Sequence, residues 1–107
     1  MPKTYTFDAG NRYMTIGISE TIPMEIQLFI WNEIDWLVRG SEKVDYLQVF
    51  EIRVRKDYLE IEHRQEVPKY QKIHKIKMRE EYKELNDVKI FVIDDIDHST
   101  ILLSSEY

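Results

Sequence analysis

The chain has 107 residues, 43% hydrophobic and 33% charged, a length and balance that fit one domain over 1–107 and are too apolar for a disordered chain. Its formal net charge of −5 opposes nonspecific attraction to nucleic acid or anionic membrane, and having no cysteine excludes disulfides, a thiolate nucleophile and cysteine-held metal centres. Residues 1–8 carry no signal-peptide core and no window reaches the roughly 20 apolar residues of a membrane span, so a soluble cytoplasmic protein is expected.

Residues 3–8 alternate Thr with Tyr5 and Phe7 and read as a short strand or a loose arm, ending in a turn at Gly10 and Asn11. Arg12, Met14, Ile16 and Ile18 alternate with Tyr13, Thr15 and Gly17, which predicts a strand over 12–18. Pro23 suits a first helical turn, where a missing N–H leaves nothing unpaired, and Glu25 suits the positive helix end. The helix then runs to 38 or 39, with Gly40 as its stop. Its stripe is Ile26, Phe29, Ile30, Ile34, Leu37 and Val38, widened by Leu28, Trp31 and Trp36. So broad an apolar face needs a covering sheet or a partner.

A connection over 41–45 leads to strands at 46–55 and 58–67, joined by a two-residue turn at Lys56 and Asp57. In the second, Leu59, Ile61, His63, Gln65 and Val67 share one face; Glu60, Glu62, Arg64 and Glu66 share the other. Pro68 interrupts the ladder. Alternation resumes over 70–78, with Tyr70, Lys72, His74, Ile76 and Met78 set against Ile73, Lys75 and Lys77. Residues 80–87 form a polar loop or one helical turn, and 88–94 with 99–104 form a last hairpin. Residues 88–93 are apolar on both parities except at Lys89, the mark of an internal strand. The expected fold is α+β: one amphipathic helix packed on a curved, largely antiparallel sheet of five to six strands, partly closed into a barrel.

The densest set of chemically capable side chains is Asp94, Asp95, Asp97 and His98 in the last turn. With His63, Arg64 and Glu66 of the middle strand, Asp94, Asp95 and His98 make the candidate binding cluster. The histidines lack the local spacing of metal ligands, so a site joining His63, Asp95 and His98 requires separate strands to converge. The plainer reading of His63 is a hydrogen-bonded, half-buried histidine. Asp97, His98 and Ser99 are too close in sequence to converge as a triad and read first as turn residues. The aspartates do not follow the calcium-loop pattern. Residues 69–79 carry five basic side chains and no acidic one; pairing with the acidic face of 58–67 is expected, ahead of RNA binding. Glu62, Arg64 and Glu66 form an ion-pair ladder if exposed.

Four blocks together resemble a known family: residues 11–18 (Asn-Arg-Tyr-Met-Thr-x-Gly-Ile), 45–51 (Asp-Tyr-Leu-Gln-Val-Phe-Glu), 63–66 (His-Arg-Gln-Glu) and 89–95 (Lys-Ile-Phe-Val-Ile-Asp-Asp) with the ending after His98. The chain is similar over nearly its whole length to small uncharacterised proteins of low-GC Gram-positive bacteria, domain of unknown function nine-sixty. The resemblance implies a bacterial cytoplasmic setting and assigns no site residue.

The expected function is a non-enzymatic interaction module that binds a protein partner or itself, without metal or cofactor. It rests on the lack of catalytic motifs, the acidic balance and the surplus of aromatics. The alternatives are a small metal-dependent hydrolase or ligand-binding enzyme using the His63, Asp95 and His98 region, and an RNA-binding module through 69–79.

Overall fold

The computed structural model describes residues 4–40 and 43–107; the start of the expected arm and part of the expected connection at 41–45 lie outside them. The elements run β1 (Arg12–Met14), α1 (Ile16–Thr21), α2 (Met24–Gly40), β2 (Leu47–Val54), β3 (Tyr58–Gln65), β4 (Tyr70–Lys77), a 3-10 turn (Glu80–Leu85), β5 (Val88–Asp94), β6 (Ser99–Leu103) and a last 3-10 turn (Ser104–Glu106). The strands form one sheet in the order β1-β6-β5-β2-β3-β4, antiparallel except for the parallel β1–β6 pair. This is the expected α+β fold, with one correction: the sheet is open, and β1 and β4 are its edges rather than the seam of a barrel.

In α2 the carbonyl of Pro23 accepts from Ile26 N (3.0 Å) and Gln27 N (3.1 Å), so the proline sits at the mouth of the helix. Ile26, Ile30, Ile34 and Leu37 are buried, and Phe29 and Val38 flank them against the core. Of the residues that widen the stripe, Leu28 (55% exposed) and Trp36 (50% exposed) are not core, whereas Trp31 packs partly buried against it, under the Arg12 guanidinium at 4.4 Å. Phe50 and Ile52 from β2, Leu59 and Ile61 from β3, Ile90 and Val92 from β5, and Ile101 from β6 meet the helix in one cluster. β5 lies between β6 and β2, internal as expected. Phe7 is fully buried in the same cluster, so the arm is anchored rather than loose.

The expected strand over 12–18 is extended only as far as Met14. Thr15 caps α1 instead, its side chain accepting from Ile18 N at 3.3 Å. A threonine cap supplies an acceptor to an otherwise orphaned first-turn N–H, and over seven residues that signal is invisible to an alternation count. Glu106 reinforces the junction, accepting from Thr15 Oγ1 (2.6 Å), Gly17 N (3.1 Å) and Leu103 N (2.8 Å). These bonds, the one from Thr15 foremost, hold its carboxyl below the usual range. A Cβ on Gly17 would meet that carboxylate at 2.5 Å.

The β2–β3 hairpin closes through Arg55 N to Tyr58 O (3.0 Å), across the expected turn at Lys56 and Asp57. Residues 80–85 are less of a polar loop than expected, because Tyr82 and Leu85 enter the core and Tyr82 Oη donates to Glu25 at 3.1 Å. Among the described residues no helix is long and apolar enough to cross a membrane.

Candidate functional site

The candidate cluster divides among three places. Asp94 ends β5 buried, accepting from Phe7 N (3.0 Å) and Ile96 N (2.7 Å), so it fastens the arm and shapes the last turn. Asp95 and His98 stay together across that turn: Asp95 N donates to His98 O at 2.8 Å, and their side chains stand 3.7 Å apart. His98 also packs edge-on against Tyr13. Ile96, between the aspartates, has φ of 78°, a strained value for a β-branched residue. Arg64 is on the outer face of β3, 2.8 Å from Glu51, while Glu66 is exposed beyond the strand end. Among the described residues no three of His, Asp and Glu converge in a way that could hold a metal ion.

His63 is fully buried on the helix-facing side of β3, stacked on Phe50 at 4.2 Å between centroids and edge-on to Tyr70 at 5.2 Å. Gln48 fixes its tautomer. The Gln48 amide donates to Asp45 O (2.9 Å) and Gln65 Oε1 (2.7 Å), which turns Gln48 Oε1 to the ring at 2.7 Å. His63 Nε2 is therefore the donor, and Nδ1 is a buried acceptor without a partner. None of these contacts is shared with His98, which lies across the sheet beyond β2 and β5.

The groups that gather around His63 are ones the sequence reading had set apart. The β3–β4 register puts Tyr70 opposite Gln65, Lys72 opposite His63 and His74 opposite Ile61, all on one face. From α2, Glu33 Oε1 meets His74 Nε2 at 2.7 Å and Phe29 packs edge-on against the same ring. Neither polar atom has a well-aligned hydrogen bond, so the contact is one of proximity, and an ion pair only when His74 is protonated. Tyr70 Oη is also buried without a partner, and burial followed by the Glu33 charge pushes its pKa up. Glu33, His63, Tyr70 and His74 thus concentrate unpaired polar atoms in one patch between α2 and β4, the kind of cluster that asks for an explanation. The signal that could have found it is the hairpin register: a four-residue turn over 66–69 dictates which β4 side chains share the His63 face.

On the outer face the expected ionic ladder forms differently. Arg53 reaches Glu51 (2.7 Å), Glu60 (2.9 Å) and Glu62 (2.9 Å), Arg55 reaches Glu60 (3.4 Å), and Gln71 donates to Glu62 at 2.7 Å. The bond from Arg64 is the main reason Glu51 stays ionised below its usual range. Glu66 takes no part, being past the last paired residue of β3. The expected pairing of 69–79 with these acids is overturned as well. Glu60 faces Lys75 in register, but Arg53 of β2 and Arg55 just after it have already claimed it. Among the described residues Lys69, Lys72, Lys75 and Lys77 enter no ion pair; Lys72 Nζ sits 4.4 Å over Trp36 and Lys75 Nζ 4.9 Å over Tyr58.

A family model described as a staphylococcal protein of unknown function, DUF960, matches residues 11–106. Comparison with curated proteins gives no match. Among solved structures, the crystal structure of a protein of unknown function from Enterococcus faecalis aligns over 98% of each chain with a TM-score of 0.79 and 23% identity, a likeness of fold.

Proposed function

The chain belongs to the DUF960 family, and because that membership brings no activity with it, we propose from the residues themselves that the protein is a non-enzymatic interaction module of the bacterial cytoplasm. The observation that supports this is the β4–α2 flank. An edge strand carries three lysines, Lys72, Lys75 and Lys77, without acidic partners among the described residues, beside Trp36 (50% exposed) and Ile73 (52% exposed). Open sheet edges and exposed aromatics are surfaces that protein partners use. The residues a small hydrolase would need are scattered: Asp95 and His98 at one hairpin tip, and His63 buried across the sheet.

Thermal melting with and without Zn²⁺, Mn²⁺, Mg²⁺ and Ca²⁺, on the parent and on His98→Ala, tests the reading. A ligand that binds only the native state raises the melting temperature, and about 1 kcal/mol corresponds to roughly 4–8 °C in a domain this small. The expected shift is no more than about a degree or two. A rise of several degrees that disappears in His98→Ala gives the protein to the metal-dependent hydrolase reading.

A further inference from the structure

We infer that β4 accepts an extended acidic polypeptide segment as a seventh strand of the sheet. The inference rests on the interaction-module reading and names its partner by chemistry. Three observations carry it. First, β4 is a full eight-residue edge strand, and in an antiparallel ladder every second residue of an edge turns its N–H and C=O away from its neighbour. Second, its lysines have no acidic partner among the described residues. The acids beside it on β3 are held by Arg53, Arg55, Arg64 and Gln71, leaving Lys72, Lys75 and Lys77 available to a newcomer. Third, Lys72 and Lys75 rest over the rings of Trp36 and Tyr58, and the half-exposed Ile73 and Trp36 add apolar contact.

Lysine on an edge strand commonly guards against strand addition. That guard acts on apolar and basic strands; an acidic strand meets opposite charges directly across the pair and gains from them. Alternation then assigns the contacts. Carboxylates on one face meet Lys75 and Lys77, and a carboxylate on the other meets Lys72. A polynucleotide fits less well, because its sugar-phosphate backbone cannot continue the ladder of peptide hydrogen bonds.

The test uses three probes: a capped peptide of Glu and Val as long as β4 with Glu on both faces, its Lys and Val counterpart, and a uridine oligonucleotide of matching length. Amide chemical shifts and hydrogen exchange are followed on the whole chain. The acidic peptide is expected to shift and protect amides of β4, and Lys75→Glu combined with Lys77→Glu to weaken its binding by about tenfold or more. Both lysines are exposed, so melting curves should show the variant folded. Silence of β4 at about millimolar acidic peptide, a concentration that reveals even weak contact, overturns the inference. So does equal binding of both peptides, or tighter binding of the oligonucleotide with a steep salt slope. A silent β4 with a flat metal scan removes only the seventh strand; a metal-dependent melting shift removes the module reading itself.

Discussion

At His63 burial keeps an imidazole neutral. Loss of hydration, then the neighbouring His74 and Lys72, push its pKa from 6.5 down to about 3. As pH falls through about 6.5 the unfolded chain takes up a proton there, whereas the native chain does so only near the lower value. Between those limits the unfolded state binds more protons, so acid removes stability, by up to a few kcal/mol across the window. Glu51 and Glu60 act lower down: their depressed pKa values add stability that is present above about 4.5 and fades as pH falls through their native values. The fall from pH 6.5 to 5 therefore separates His63 from these two acids, and a His63→Gln comparison assigns the change to its ring. Urea midpoints measured across that range should drop more steeply for the parent than for His63→Gln, which retains a polar group but cannot take the proton. Parallel curves would show that the ring titrates normally.

For the elements, the strongest single test is the buried stripe of α2. Ile30→Ala should cost about 2–5 kcal/mol through the cavity it leaves, and Phe29→Ala less, since that ring is only partly buried against the core and His74. Denaturant melts decide it, and an Ile30→Ala protein as stable as the parent would place the stripe outside the core. This helix was legible in the sequence because Pro23, Glu25, Gly40 and a 17-residue periodicity agree. The β2–β3 hairpin was legible from parity, and β5 from its two-sided apolar run. The β1–α1 junction was not, since three extended residues and a six-residue helix are too short to establish a period, and the decisive Thr15 cap completes itself with Glu106, 91 residues away. That Tyr70 and His74 share the His63 face follows from the hairpin register, but the arrival of Glu33 does not: it depends on how α2 lies over β4, a tertiary fact with no local signature.

For the whole molecule, the strand order predicts a gradient of protection. β2, β3 and β5 each have neighbours on both sides, whereas β1 is a three-residue edge and β4 an open one. Native-state hydrogen exchange should find the slowest amides in β2 and β5 and markedly faster ones in β1 and along the outer side of β4. Uniform protection across all six strands would contradict the open-edged sheet. The placement of the first strand beside the last also has a meaning for synthesis. Phe7 finds its acceptor in Asp94, 87 residues further on, and β1 has only β6 to pair with. On the ribosome, α2 emerges before any of the strands that cover it, and at roughly 5–20 residues per second several seconds pass before β6 follows. Through that interval the nascent chain exposes an isoleucine-rich helix with no finished sheet beneath it. The arm, β1 and α1 cannot settle until Leu103 has cleared the exit tunnel, so the fold closes only when its last strand is out, and until then the isoleucine face of α2 stays uncovered.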